Sequence, residues 1–168
     1  MGKRTLTGDA LGETILLALN SGISIAIHMG EVDTLIEKND IDIILSALEA
    51  WVGLQPLLSY NPLHGKVRLG HCIFLTEEQQ EKIAALGIPI EICASCHKHM
   101  NWHLETSPHP VTGIYADVKE ALVSGTDDQT IFGSSAKDEF NHLLSFFPNK
   151  EGMSRKEIKE HQATFRFS

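Results

Sequence analysis

The sequence predicts an α/β fold built on a parallel sheet, and three observations support this. Apolar, strand-like runs at 23–27, 67–69, 88–92 and 120–123 alternate with segments of helical periodicity. The order, one helix and then four β-α units, calls for parallel strands joined by right-handed helical crossovers. Each apolar run is followed at once by a polar cluster: His28-Met29-Gly30-Glu31, Leu69-Gly70-His71, Glu91-Ile92-Cys93-Ala94-Ser95 and Ser124-Gly125-Thr126-Asp127-Asp128. In such sheets the carboxyl edge is where ligands bind and chemistry happens. Four strands make either an open sheet or half of an eight-stranded barrel, and the pattern alone leaves both open.

Residues 9–20 carry Leu11, Ile15, Leu16 and Leu19 at helical spacing, with Gly22 as a stop. In the first strand Ile23, Ile25 and Ile27 face one way and Ser24, Ala26 and His28 the other. A second helix over 39–53 presents Ile41, Ile44, Leu45, Leu48 and Val52. Residues 54–66, with Pro56, Asn61, Pro62 and Gly65, read as a connecting loop. After the second strand, Thr76-Glu77-Glu78-Gln79 is a capping box opening a helix to about Leu86, closed by Gly87. Pro89 starts the third strand. Residues 96–110 are polar and rich in His, which predicts a long functional loop. A short helix over 114–119 leads to the fourth strand. Phe140, Leu143, Leu144 and Phe147 form the buried stripe of a further helix, broken by Pro148 and Gly152. Ser154-Arg155-Lys156-Glu157 opens a polar last helix. No interior boundary appears, so 1–168 reads as one unit.

Composition narrows the function. At 168 residues, with 42% hydrophobic and 21% charged side chains, the chain can bury a real core. Fourteen basic against 22 acidic residues leave a net charge of −8, with no basic stripe for nucleic acid or an anionic membrane. No apolar run reaches the length of a membrane span. The opening residues lack a signal-peptide core, and Leu6 stands where myristoylation expects Ser or Thr. Cys72, Cys93 and Cys96 make an odd set without a disulfide framework, pointing to a reducing, cytoplasmic setting.

A neutral His and a carboxylate at adjacent strand ends suit a borderline divalent cation such as zinc. A further His and a Glu in the same mouth supply acid and base groups. Each residue also has a bland reading. His71 alone would be a hydrogen-bonded structural His, Glu31 a carboxylate favoured by a helix dipole, and Asp127-Asp128 a helix cap. Their repeated placement at one edge favours the functional reading.

His28-Met29-Gly30-Glu31, Arg68-Leu69-Gly70-His71, Glu91-Ile92-Cys93 and Thr126-Asp127-Asp128 together resemble the metal-dependent adenosine/AMP deaminase family. So do Thr7-Gly8-Asp9 and His109-Pro110-Val111, and the resemblance runs from about Leu6 to the end. The wording Gly70-His71-Cys72-Ile73-Phe74-Leu75 is nearest to the adenosine deaminase-like branch, which acts on N6-substituted purine nucleotides. The resemblance implies the second half of a (β/α)8 barrel, in which zinc activates water to attack C6 of a purine. It implies His28 and Asp127 as metal ligands and Glu31 as the acid that protonates purine N1. It implies His71 as the residue orienting the attacking water, Asp128 as the partner of N7, and Gly8 as the glycine approaching N3. A purine nucleoside or nucleotide is the implied partner.

The sequence also departs from that family. The His-x-His pair of its first strand has no counterpart before Gly8, and the chain starts where the family's fourth strand ends. The family's proline and asparagine near Cys93 are replaced by Ala94 and His97, and Gln129 replaces a common proline. The isolated chain is therefore expected to be weak or inactive. The alternative is a non-catalytic half-barrel or interaction module whose unpaired strand edges invite association. Cys93-Ala94-Ser95-Cys96-His97 formally matches a haem-attachment pattern, without signs of export, and it does not open a helix after an N-terminal strand as a thioredoxin-type motif would. The cytidine-deaminase zinc signature is absent. Cys96, His97, His99 and His103 are a separate candidate metal cluster, set against a solvated loop with incidental histidines.

Overall fold

A computed structural model of the chain describes residues 8–56, 60–100 and 122–145. Along them run helix α1 (Gly8–Asn20), strand β1 (Ile25–Met29), helix α2 (Leu35–Gly53), strand β2 (Val67–His71), helix α3 (Glu77–Leu86), strand β3 (Ile90–Ile92), helix α4 (Ala94–His99), strand β4 (Leu122–Ser124), helix α5 (Gln129–Phe132) and helix α6 (Ala136–Ser145). The strands form one sheet in sequential order, every pair parallel. That is the arrangement the alternation predicts, and its order is the one strands follow around a (β/α)8 barrel. The outer edges of β1 and β4 have no strand partner among the described residues.

The core lies on one face of the sheet. Ile15 and Leu19 of α1 and Ile41, Ile44, Leu45 and Leu48 of α2 bury against Val67, Leu69, Ile90 and Ile92, with Ile83 and Ile88 completing the cluster. Ile25 and Ile27 pack partly against it, while Ala26 and His28 on the other face of β1 are exposed. The strand alternation read from the sequence is therefore correct in direction. Among the described residues, no helix is long and apolar enough to cross a membrane.

Several boundaries move, each for a local reason. The first strand begins at Ile25 because Ile23 is used to finish α1, its N–H donating to Ala18 O at 2.9 Å. Helix α2 begins at Leu35, a turn earlier than its apolar stripe indicates, because Leu35 and Ile36 point to solvent and add nothing to that stripe. The overlooked signal was Thr34 followed by Glu37, whose N–H donates to Thr34 Oγ1. The second strand extends to His71, the third starts two residues later than its apolar run, and the fourth is described from Leu122 on. Residues 94–99, expected to lead into and form part of a loop, are helical. The helix expected at 114–119, Phe147 and the polar last helix lie outside the described residues.

The capping box at Thr76 forms as expected. Thr76 Oγ1 accepts from Gln79 N, Gln79 Oε1 accepts from Thr76 N, and Gly87 closes α3 in the left-handed conformation. Gln79 also donates from Nε2 to Lys38 O at 3.0 Å and Asp42 Oδ1 at 2.8 Å, tying α3 to α2 while fully buried. Replacing Gln79 by Ala should therefore cost about 2–3 kcal/mol, since it removes a cap and two inter-helix hydrogen bonds made by a buried side chain. Thr76→Ala should cost only about 1 kcal/mol. Urea midpoints at unchanged m-value check both; equal losses would contradict the inter-helix role of Gln79.

Candidate functional site

The parallel register places the predicted clusters side by side. Met29 is level with His71, His28 with Gly70, Gly70 with Glu91, and Ile92 with Ser124. Gly70 thus lies between two long side chains on the face opposite the core. A Cβ at Gly70 would stand 2.6 Å from His28 Cδ2, and one at Gly125 would collide with the Glu91 carboxylate. These two glycines let the neighbouring side chains lie over bare backbone. Glu91 is held there by Arg68, whose Nη1 donates to its Oε2 at 3.0 Å.

His71 would fall on the core face by strict alternation, but the pleat ends there. His71 and Cys72 take left-handed backbone conformations (φ 64° and 55°), and Asp127 does the same at the end of the fourth strand (φ 49°). Such conformations cost of order 1–3 kcal/mol each and collect where surrounding structure over-determines them. The determinants are visible. Cys72 N donates to Met29 O at 2.9 Å, and the N–H groups of Ile73 and Phe74 both donate to Gly30 O. They lash the end of β2 to the end of β1.

Around the buried His71 ring the groups converge. Its Nε2 is 3.1 Å from His28 Nδ1, 3.5 Å from Glu31 Oε1 and 4.0 Å from Asp127 Oδ2. The His28 and His71 rings meet edge to face, centroids 4.7 Å apart. Glu31 is positioned by α2: Glu37 accepts from Glu31 N at 2.8 Å and from Val32 N at 3.2 Å, pinning the loop. Cys96 holds Asp127 through a thiol hydrogen bond, and burial together with that bond pushes the thiol pKa up to about 12.

The electrostatics divide the roles. Burial lowers the pKa of His71 to about 4, with His28 adding and Asp127 opposing, so the imidazole is neutral. Burial raises the pKa of Glu31 from its ordinary value; His28 opposes, while Asp127 and Glu37 add to the rise. One ligand atom each from His28, His71 and Asp127 lie within 4.8 Å of one another, a His/Asp set able to hold a metal ion. The donors come from three strand ends, the sheet shows its open face there, and Gly70 leaves room for the His28 ring, so the residues fit a borderline divalent cation.

Four of the six predicted site residues therefore meet: His28, Glu31, His71 and Asp127. Asp128 stands next to them as the N-cap of α5, its Oδ1 accepting from Thr130 N and Ile131 N. Gly8 begins α1 and packs against α2, where an added Cβ would stand 2.7 Å from Ile43 Cδ1. It is not part of the group around His71.

One residue of the group, His97, is assigned by the sequence to a separate candidate metal cluster. His97 is fully buried on α4, and its Nε2 lies 3.2 Å from His71 Nδ1. The usable signal was a His four residues beyond Cys93 at the same sheet edge, one helical turn away. The Cys96, His97 and His99 set does not converge as a metal group among the described residues. His99 instead approaches Ser95 O with Nδ1 at 2.9 Å and packs on Phe132. His103 lies outside the described residues. Burial of Cys93 and Cys96 also leaves no thiol presented for haem attachment.

Comparison with known proteins agrees with the resemblance drawn from the motifs. No family model matches the chain. An N6-mAMP deaminase of Arabidopsis thaliana is 28% identical over 153 residues, covering 82% of this chain and 42% of that protein. The crystal structure of an Arabidopsis N6-mAMP deaminase matches with TM-score 0.65 at 20% identity, over 93% of this chain and 39% of that one. Arabidopsis ADAL complexed with IMP matches with TM-score 0.67 at 19% identity, over 98% and 41%. The chain thus spans about two fifths of the length of the relatives it matches, and its fold is half of a (β/α)8 barrel.

Gly70→Ala should push the His28 ring off β2 and weaken zinc binding about tenfold or more, as loss of ligand support commonly does. Gly12→Ala is the control. Its added Cβ meets nothing closer than 3.4 Å, so zinc binding should be unchanged. Calorimetric titration with zinc separates the two, and equal affinities would show that Gly70 does not govern the His28 ring.

Proposed function

Since the chain's likeness is to the adenosine deaminase-like, N6-substituted AMP deaminase branch, we propose that it is the carboxyl half of a purine deaminase-type hydrolase. With a complementary half it replaces the amino or substituted amino group at C6 of an AMP derivative by oxygen. The observation that carries this reading is the convergence of His28, Glu31, His71 and Asp127 from three strand ends. IMP, the ligand named for one structural neighbour, is what such hydrolysis of AMP leaves behind.

His28 and Asp127 would hold the metal, with zinc suited to that donor pair. When bound, such a cation lowers the pKa of a water to about 7. The chain's own residues then divide the proton work. Glu31, a carboxyl held protonated more readily than usual, gives a proton to purine N1 and makes C6 a better electrophile. His71, a neutral imidazole, orients the water and takes its proton. Asp128 is assigned to N7 and the backbone of Gly8 to N3. The thiols of Cys72, Cys93 and Cys96 are free and buried, which suits a cytoplasmic setting.

A second reading has an observation of its own. Catalytic zinc typically has three protein ligands, and the described group supplies a third only by taking His71 away from its role as base. On that reading the chain alone is a non-catalytic half-barrel that associates through its strand edges.

The test is co-expression with the amino-terminal half of an Arabidopsis N6-mAMP deaminase, followed by measurement of amine or ammonia release from N6-methyl-AMP and AMP. Glu31→Gln and Asp127→Ala should each reduce turnover by about 100-fold or more, the usual scale of lost acid–base or metal function. Release untouched by both changes would sink the proposal. Robust turnover by the unassisted chain would remove the second reading.

A further inference from the structure

Three imidazoles stand in a line that the deaminase reading uses only in part. His28 Nδ1 lies 3.1 Å from His71 Nε2, and His71 Nδ1 lies 3.2 Å from His97 Nε2. The line runs from exposed His28 to His97, which has no exposed surface. The His71 and His97 rings are 5.4 Å apart and tilted by 46°, a contact made through ring edges. Each link needs one proton between two nitrogens, so with one proton on each ring the N–H groups must all point the same way along the line.

We propose that His97 is a positioning residue for His71: its Nε2 accepts the Nδ1 proton of His71, so that His71 turns an unprotonated Nε2 toward the strand-end cluster.

Two polarities satisfy the distances, and the site chooses between them. With His71 protonated on Nδ1, His28 must donate from its own Nδ1, which leaves His28 Nε2 with a free lone pair. That is the state in which His28 can ligate a cation through the nitrogen lying over Gly70, and metal-binding imidazoles commonly give their other N–H to a fixed acceptor. With the polarity reversed, His28 would carry a proton on that nitrogen. The Glu31 and Asp127 carboxylates, at 3.5 and 4.0 Å from His71 Nε2, are too distant to capture its proton in competition with His28 at 3.1 Å. This choice rests on the deaminase reading, because it is His28 as a ligand that fixes the direction.

The scaffold behind His97 is suited to holding it still. Helix α4 starts directly after β3, and His97 N donates to Cys93 O at 3.1 Å. The start of α4 is tied down by Glu139 of α6, a fully buried carboxylate that accepts from Ser95 N at 3.1 Å. A side chain carried by one turn of helix, clamped from a second helix, keeps its ring nitrogen within reach of His71. His97 stands where the resembled family has asparagine, whose shorter side chain would not span the same distance. The contact thus belongs to this sequence.

The proton's place can be read directly. Long-range proton–nitrogen correlation spectra of the full chain with added zinc, labelled with 15N-histidine, report which ring nitrogen of His71 carries hydrogen. In the wild type, His71 should be in the Nδ1–H form. His97→Leu removes the acceptor and should shift the tautomer ratio toward Nε2–H by roughly fivefold or more, the scale of one net hydrogen bond. His97→Gln, which brings an amide oxygen to the same region, should restore the ratio to within about twofold. Should His97→Leu fail to fold, His97→Asn serves as the shortened variant and should show the same shift. A wild-type His71 in the Nε2–H form, or a ratio unmoved by loss of the acceptor, overturns the proposal. The spectra involve no turnover, so their outcome is separate from the amine-release assay.

Discussion

The missing side chain at Gly70 is the constraint on which the rest of the site depends. In a parallel sheet, residues level with one another on the same face compete for the space above the middle strand. Here His28 from β1 and Glu91 from β3 both flank β2 at that position. A methyl group there would stand 2.6 Å from His28 Cδ2. Without it, the His28 ring lies across β2 with its Nδ1 turned toward the end of that strand, where His71 waits. Gly125 does the same for the Glu91 carboxylate on the next strand pair, and Arg68 neutralises that carboxylate from below. The floor of the site is a layer in which backbone replaces side chain wherever a functional ring or carboxylate must pass.

Above that floor the backbone is bent out of the sheet. The left-handed residues His71, Cys72 and Asp127 sit where a continued pleat would send their side chains elsewhere. Gly30 O, taking two N–H groups from the second strand end, and Cys96, bonded to Asp127, hold those bends in place. The result is a buried imidazole facing two carboxyl groups whose environments differ. Glu31 is desolvated and moves toward its acid form, and His71 is desolvated and stays neutral. Opposite tendencies in neighbouring groups are what acid–base work at neutral pH requires.

Much of this was legible in the chain because it is local. The capping box of α3, the Gly87 stop and the Ile alternation of β1 are each set by a few consecutive residues, and the structure reproduces them. Helix α2 exceeded its apolar stripe because its first turn is exposed, so burial periodicity is blind to it. The loop expected from residue 96 begins instead as a helix for a tertiary reason: a carboxylate more than forty residues away, on Glu139, supplies the partner for Ser95 N. The same long-range contact hid His97, whose role comes from a helix that its own sequence does not announce. Asp128 did form the cap that its bland reading expected, and this leaves its place next to Asp127 intact.

The cluster is one-sided, and that ties its chemistry to the closure of the barrel. His71 and His97 are sealed by the core, whereas His28 and Asp127 look out over the open face of the sheet. On that side water screens the interaction between imidazole and carboxylate; at an effective dielectric near 20, charges at 4 Å interact with about 4 kcal/mol, against about 1 in water. Any partner that completes the sheet by pairing with the edges of β1 and β4 would lay a second wall over the same face. It would therefore do more than satisfy strand edges. By removing water from His28 and Asp127 it would strengthen the field at His71 and raise the cost of leaving the two ligands without a cation. On the proposed function, barrel completion and metal binding would be coupled through one desolvated surface, each strengthening the other.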